Sequence, residues 1–266
     1  MGQKLIDLEE MKSIELNIMR EIFHVCHEEG LTCLMAYGTL LGAIRHHGFI
    51  PWDDDIDLIM PRDDYERLPE AFAKRSSKPY YNIIWYRDRS SIYPFIKVVA
   101  TRTEVVEHYV DERWCRTGVW VDVFPIDGIG QSDKPFDEMA KCTRKYDYLT
   151  ANIHEGTSAL SIIGKRVLKA VMPKEDIYQV AQQMDENARR VPVEGSEEVA
   201  NLAWGLGPNE RIPSSAVTDT CLYSFEGEQF DGPRDYDLCL TRWYGDYMTL
   251  PPEDERLPHY VDARWL

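Results

Sequence analysis

The sequence reads Tyr37-Gly-Thr-Leu-Leu-Gly-Ala-Ile-Arg-His-His-Gly-Phe-Ile-Pro-Trp-Asp-Asp-Asp-Ile-Asp57 across the segment that decides the fold. The apolar run from Ile56 to Met60 has the length of a strand, and Pro61 ends it. On a strand, Asp55 and Asp57 would point to the same side, roughly 7 Å apart. Carboxylates on one edge of a rigid strand favour binding of Mg²⁺ or Mn²⁺.

Two other interpretations compete with a metal site. The acids could form a solvated turn, but large apolar residues enclose them, which predicts partial burial that a metal would offset: Phe49, Ile50, Trp52, Ile56, Leu58 and Ile59. An EF-hand would place Asp53, Asp55 and Asp57 at loop positions 1, 3 and 5. That loop requires glycine where Leu58 stands and normally glutamate where Asp64 stands, so we reject it.

Composition limits the class of protein. The chain has 266 residues, 44% of them hydrophobic, which is enough for a sizeable core. Its formal net charge of −16 and the lack of a basic stripe argue against a general nucleic-acid binder. Small phosphorylated ligands are still compatible with this charge, because metal ions can supply the missing positive charge.

The sequence predicts a cytoplasmic protein. No stretch approaches the roughly 18 apolar residues that span a bilayer, and the N-terminus lacks the apolar core of a signal peptide. The six cysteines form no Cys-x-x-Cys pair, so we expect reduced and mostly buried thiols.

Hydrophobic spacing predicts an alternation of helices and strands. Residues 5–29 read as an amphipathic helix that ends at Gly30, and residues 38–45 could open a second helix. A third helix is expected to be capped by Asp63 or Asp64. The strand-like runs are residues 31–37, 56–60, 80–86, 95–99, 104–110 and 119–124, the last of them broken by Pro125. From about residue 131 to 190 the pattern is helical.

Several motifs resemble one family in sequence order. Gly38-Thr39 followed by Asp55-x-Asp57 resembles the signature of the nucleotidyltransferase-like superfamily, typified by DNA polymerase beta. The longer string from Gly38 to Asp57 resembles the LicD family, the phosphocholine transferases related to fukutin. The likeness extends to Lys97 in Phe-Ile-Lys-Val, Val121-Asp-Val-Phe-Pro-Ile-Asp-Gly128, Tyr244-Gly-Asp-Tyr-Met-Thr-Leu-Pro-Pro252 and His259, with a weak stretch at about 131–200.

The resemblance implies an α+β, nucleotidyltransferase-like fold with a mixed sheet flanked by helices and a helical lobe in the second half. We expect a catalytic core at 1–130 and a portion at 131–266 that completes the core and the substrate site. The implied reaction is divalent-metal-dependent transfer of phosphocholine from CDP-choline to a hydroxyl of a cell-surface glycan or teichoic acid precursor. The acceptor could be lipid-linked, which would bring the enzyme to the inner face of the membrane.

The same resemblance implies a third carboxylate on a neighbouring strand. Asp122 fits best, because Val121 and Val123 would share the opposite face, and Asp127 is second. Asp55, Asp57 and Asp122 are the predicted metal ligands and catalytic residues, and Asp122 would either help to hold a second ion or deprotonate the acceptor.

Four further residues are predicted to bind the donor. Gly38 and Thr39 would bring backbone and a hydroxyl close to a phosphate, while Arg45 and Lys97 would contact phosphate oxygens. Ion pairs with the acidic loop are an equal alternative for Arg45 and Lys97.

Other side chains carry weaker expectations. Asp53 and Asp54 would orient the acidic loop. The residues His46, His47, His259 and Trp52 are more often structural than functional in such settings. Aromatic faces would hold the choline cation, although the sequence does not indicate which ones converge.

The stretch 159–172 has one apolar side with Lys165, Arg166 and Lys169 beside it. It could contact a membrane surface, while a helix packed on the core is the favoured alternative.

Other functions remain open at this point. The donor could carry ribitol phosphate or glycerol phosphate, or the enzyme could transfer a nucleotidyl group. A catalytically inactive glycan- or nucleotide-binding module is a further alternative, against which the intact acidic set argues.

Overall fold

The fold was analysed in a computed structural model that describes residues 4–152, 175–205, 207–257 and 261–266. The stretch 159–172 and His259 therefore lie outside the described residues. The described helices are Leu8–Glu29 (α1), Tyr37–Arg45 (α2), Arg62–Arg75 (α3), Lys134–Thr150 (α4), Ile177–Ala188 (α5) and Tyr236–Tyr244 (α6).

Thirteen strands occur in the same residues: Leu5–Ile6 (β1), Leu34–Met35 (β2), Asp57–Pro61 (β3), Tyr81–Ile84 (β4), Ile96–Ala100 (β5), Thr103–Glu107 (β6), Arg116–Thr117 (β7), Trp120–Ile129 (β8), Glu198–Ala200 (β9), Ile212–Pro213 (β10), Thr220–Phe225 (β11), Glu228–Pro233 (β12) and Val261–Trp265 (β13). Four short 3₁₀ turns lie at Tyr86–Asp88, Pro208–Glu210, Ser214–Val217 and Glu253–Glu255. The expected α+β class is confirmed.

The central sheet has seven strands and is built around β8. The strand β3 runs parallel to β8 on one edge, and β2 continues the sheet beyond β3. On the other edge, β8 pairs antiparallel first with β5, which carries β4, and then with β9, which carries β10. A mixed sheet of this kind agrees with the nucleotidyltransferase-like expectation.

Two smaller sheets flank this core. The strands β1, β13, β6 and β7 form a four-stranded antiparallel sheet, in which β13 near the end of the chain lies between β1 and β6. The hairpin β11–β12 forms the third sheet. Residues after 131 thus contribute strands as well as helices, and the boundary near residue 130 stays a prediction.

The first helix begins at Leu8, three residues later than expected, because Leu5 and Ile6 form the strand β1. The Asp7 side chain caps α1 by accepting a 2.9 Å hydrogen bond from the N–H of Glu10. Gly30 ends it in the left-handed conformation, at φ 62°, which glycine adopts without steric cost. Its apolar side, including Ile18, Ile22 and Val25, is fully buried.

Local expectations failed at three places. The strand β8 continues through Pro125 to Ile129, whereas a break at Pro125 was expected. Proline is tolerated there because Pro125 lies between the residues that pair with β5 and those that pair with β9, where a missing N–H removes no hydrogen bond to either strand.

The helix α3 begins at Arg62 after Pro61, so Asp63 and Asp64 lie in its first turn and do not cap it. The 31–37 run yields only the two-residue strand β2.

A buried ion cluster ties α3 and α5 to β8. The Arg62 guanidinium donates to both carboxylate oxygens of Asp127, at 2.7 and 2.6 Å, and to Asp185 at 2.7 Å. Asp185 also accepts hydrogen bonds from Tyr86 and Arg87. Because Asp127 is five residues from Asp122 on one strand, the two carboxylates point to opposite faces of the sheet.

We predict that Arg62→Met lowers the free energy of unfolding by about 3–5 kcal/mol, because it leaves Asp127 and Asp185 buried without their main partner. Urea denaturation would measure the change. Arg234→Met is the matched control, since Arg234 pairs with Asp219 at the surface, where solvent screens the pair, and its loss should change the stability little. Equal losses for the two variants would contradict the structural role of the cluster.

Candidate active site

The sheet face opposite the ion cluster forms the floor of a pocket of about 560 Å³. Trp120, Asp122 and Phe124 alternate along β8 and all line it. Lys97 on β5 and Phe95, which directly precedes that strand, line the same pocket. Alternate residues of both strands point to the other side and are buried in the core, as Ile96 and Val123 illustrate.

Strand register places the predicted acids next to each other. Asp57 on β3 is the direct partner of Asp122 on β8 in the parallel pair, and Lys97 on β5 is the partner of Asp122 on its other edge. The Lys97 ammonium lies 3.0 Å from Oδ1 of Asp122 and donates a hydrogen bond to Oδ2 at 3.3 Å. Three adjacent strands thus present carboxylate, carboxylate and ammonium in one row.

Asp55 lies in the segment leading into β3, whereas a place on the strand was expected, because β3 begins at Asp57. Asp55 and Asp57 nevertheless line the same pocket. The structure therefore brings Asp55, Asp57, Asp122 and Lys97 together, as the sequence predicted.

Negative charge accumulates at this end of the pocket. Burial raises the pKa of Asp57 well above its usual value, and the charges of Asp55, Asp122 and Asp53 raise it further against the effect of Lys97. Burial also raises the pKa of Asp122, while Lys97 opposes that shift. On α1, burial and the nearby acidic loop raise the pKa of Glu15. Such a surplus of crowded carboxylates favours a bound cation.

The donor set fits a divalent cation only in part. Within the described ranges, no three His, Cys, Asp or Glu side chains converge as a ready metal cage. Asp122 forms an ion pair with Lys97, and Asp55 and Asp57 line the same pocket beside it. Two carboxylates suffice for Mg²⁺, which usually keeps several waters and takes further oxygens from a substrate phosphate. The metal assignment stays a prediction.

Thr39 and Ala36 position Asp57 through its backbone. The buried Thr39 hydroxyl accepts a 2.8 Å hydrogen bond from the N–H of Asp57. The N–H of Ala36 donates to the Asp57 carbonyl at 3.1 Å. Thr39 is not among the pocket-lining residues, and its observed contact is with the strand that bears the acid.

The glycines of the motif allow close approaches. A Cβ on Gly38 would lie 2.6 Å from Oδ2 of Asp53, so Gly38 makes room for that carboxylate beside the first turn of α2. A Cβ on Gly42 would lie 2.4 Å from the carbonyl oxygen of Gly48, so the loop after α2 packs directly on the helix. Both contacts shape the path of the chain into the acidic segment.

Arg45 is not brought to the pocket lining. Its guanidinium donates to the carbonyl of Tyr247 at 2.7 Å and to His46 at 3.0 Å. Trp52 packs against His46, with ring centroids 6.2 Å apart, and Arg256 lies over the Trp52 ring. These contacts hold the 244–256 segment against the motif loop, and a phosphate contact by Arg45 stays a prediction.

A polar network lies beside the acids that was not predicted from the sequence. The Tyr37 hydroxyl donates to Glu210 at 2.7 Å and accepts from Asn201 at 3.1 Å, and all three residues line the pocket. Tyr37 also has a positive φ of 44°, which is unusual for a non-glycine residue and common at functional sites. The position of Tyr37 directly before Gly38 was the sequence signal for its role. Asn201 and Glu210 lie after residue 190, where the sequence pattern predicts no helix or strand.

Comparisons with known proteins show what the chain is similar to. The family described as LicD/FKTN/FKRP, nucleotidyltransferase domain, matches residues 30–140, which contain the acidic motif, Lys97 and Asp122. The lipopolysaccharide cholinephosphotransferase LicD of Haemophilus influenzae is 27% identical over 270 aligned residues, covering 99% of each chain. Both matches support the resemblance to the LicD family that the motifs indicated. The chain is a phosphotransferase enzyme, as expected from the motifs.

A second relative matches only part of the chain. An uncharacterised protein of Rickettsia typhi is 34% identical over 82 residues, which are 29% of this chain and 26% of that protein. No helix in the described residues is long and apolar enough to cross a membrane.

We predict that Thr39→Val lowers the free energy of unfolding by about 1–3 kcal/mol, because the N–H of Asp57 loses its acceptor. Thr39→Ser keeps the hydroxyl and loses only a methyl group, so it is the matched control. Urea denaturation of both variants would measure the difference, and Val proving no worse than Ser would contradict the positioning role.

Proposed function

We propose that this enzyme transfers phosphocholine from CDP-choline to a hydroxyl of a lipopolysaccharide or a related cell-surface glycan precursor. The observation that carries the proposal is similarity along nearly the whole chain to a lipopolysaccharide cholinephosphotransferase. The pocket supports it, because paired acids, a buried lysine and aromatic walls meet in a cavity large enough for a small organic substrate.

In the proposed reaction, an acceptor oxygen attacks the phosphorus that bears choline. A new P–O bond forms, the bond from that phosphorus to the bridging oxygen breaks, and CMP leaves. The acceptor hydroxyl gives its proton to a base, for which Asp122 is the best candidate. Its pKa is raised by burial, and the neighbouring Lys97 holds the carboxylate in place.

Lys97 has a second proposed task. Its ammonium is almost fully buried, lies beside Asp122 and faces the pocket. Charge on the equatorial oxygens of a transferring phosphoryl group is stabilised by such fixed cations. Proton transfer from the acceptor to Asp122 would weaken the ion pair and free Lys97 to interact with the phosphate.

Asp55 and Asp57 would hold Mg²⁺ or Mn²⁺. When bound, such an ion would polarise the phosphate oxygens of the donor and offset the charge that develops on the departing CMP. The proposal is supported by the surplus of negative charge around Asp57, which a cation would relieve. Thr39 and Ala36 contribute by fixing the backbone of Asp57.

Donor choice can be measured by titrating CDP-choline, CDP-ribitol and CDP-glycerol into the protein, each with and without Mg²⁺. We expect CDP-choline to bind at least about 10-fold more tightly than the polyol donors, since one good differential contact is worth about that factor. Mass spectrometry of the products should show CMP and an acceptor heavier by phosphocholine. Tighter binding of a polyol donor, or an acceptor carrying CMP, would refute the proposed donor or reaction.

We predict that Asp57→Asn lowers turnover at least about 100-fold, because several kcal/mol of charge stabilisation are lost with the cation. Thermal stability should be retained or raised, since one member of a crowded acidic group becomes neutral. Asp137→Asn on α4 is the matched control, because Asp137 is an exposed carboxylate far along the chain from the motif. Undiminished CMP release by Asp57→Asn would remove the metal assignment.

A further inference from the structure

The pocket has a second end made of aromatic rings. Trp204 lies 5.2 Å from Tyr146 and 5.5 Å from Tyr93, measured between ring centroids, and Tyr109 lines the same wall. Trp204 and Tyr109 are only half-buried, so they keep surface toward the pocket, while Tyr93 and Tyr146 are buried behind them. We call Trp204 and Tyr109 the aromatic wall.

A buried carboxylate stands behind this wall. Glu107 is 1% exposed and accepts hydrogen bonds from the hydroxyls of Tyr93 and Tyr109, at 2.6 and 2.7 Å. Both hydroxyls thus donate into the protein. Asp147 adds a second carboxylate at the rim of the same region. An aromatic wall backed by negative charge is attractive to a cation and offers few groups to a neutral polyol.

The Lys and Arg side chains of the described residues do not lie over the rings of the aromatic wall. Lys97 lies over Tyr93 and Trp120, at 4.4 and 4.1 Å from the ring centroids, on the side of the acids. In the described parts of the chain, no Lys or Arg lies over the ring of Trp204 or Tyr109. Aromatic rings pack against Trp204, those of Tyr93, Phe95 and Tyr146, but no Lys or Arg of these residues occupies the place of a ligand cation.

We infer that the aromatic wall, with Glu107 behind it, binds the quaternary ammonium of the donor and selects it over uncharged head groups. This inference rests on the proposed function and deepens it. Choline is joined to its phosphorus by a two-carbon linker, and the wall lies in the same pocket as Asp57 and Lys97. One donor can therefore place its phosphorus at the acids and its cation at the wall.

The test compares two ligands whose head groups have nearly the same shape but differ in charge. The two ligands are CDP-choline and CDP-3,3-dimethylbutanol, in which a neutral carbon replaces the choline nitrogen. Affinities are measured by titration calorimetry with Mg²⁺ for wild type, Trp204→Leu, Trp204→Phe and Glu107→Gln. Trp204→Phe keeps an aromatic face, and Glu107→Gln keeps a hydrogen-bond acceptor while removing the charge. Thermal unfolding confirms that each variant is folded.

We expect wild type to prefer CDP-choline over its neutral isostere by about 3- to 30-fold, the range of cation–π binding in a partly desolvated site. Trp204→Leu and Glu107→Gln should each reduce that ratio several-fold, whereas Trp204→Phe should retain most of it. Affinity for the isostere should change little in Glu107→Gln.

Three results would overturn the inference. Equal wild-type affinity for the two ligands would remove the cation site while leaving the proposed CDP donor intact. An unchanged ratio in both Trp204→Leu and Glu107→Gln would show that the selecting residues lie elsewhere. Binding of neither ligand would refute the donor of the proposed function, and the inference would fail with it.

Discussion

The parallel pairing of β3 with β8 is the constraint on which the site depends, because it sets Asp57 directly beside Asp122. Burial raises the pKa of Asp57, and repulsion from the neighbouring carboxylates of Asp55 and Asp122 raises it further. Lys97, one strand further, neutralises part of the charge. The fold holds this unfavourable arrangement by fixing Asp57 through main-chain hydrogen bonds to Thr39 and Ala36, which do not depend on the state of its carboxylate.

The two faces of β8 differ in how far their buried carboxylates are paired with cations. On the helix-covered face, Asp127 receives two hydrogen bonds from Arg62, and Asp185 is satisfied by Arg62, Tyr86 and Arg87. On the pocket face, one lysine stands among several carboxylates. A paired cluster needs no ligand and serves to hold α3 and α5 on the sheet, whereas an acidic surplus is relieved by protonation or by a bound cation. This contrast separates the structural carboxylate Asp127 from the candidate catalytic carboxylate Asp122 on one strand.

Sequence reasoning succeeded where the signal was local. The end of α1 at Gly30, the acidic motif and the alternation that selects Asp122 all follow from neighbours along the chain. It failed where partners come from distant segments. Glu210 meets Tyr37 across 173 positions, and no spacing rule predicts such a contact. The continuation of β8 through Pro125 depended on which strand lies at its edge, and propensity carries no information on that point.

The charge of the pocket has a consequence for how a donor would be recognised. A bare phosphate would be repelled by Asp55, Asp57 and Asp122, and among the described residues that line the pocket Lys97 is the one cation that would attract it. Phosphocholine carries its own positive charge, and on the proposed function that charge would lie against the aromatic wall while a metal ion meets the phosphate. The negatively charged phosphate oxygens would then lie between two cations. The metal ion and the choline cation would each bind weakly without the phosphate charge between them, so each is expected to favour binding of the other. A donor with a neutral polyol head group would lack this coupling.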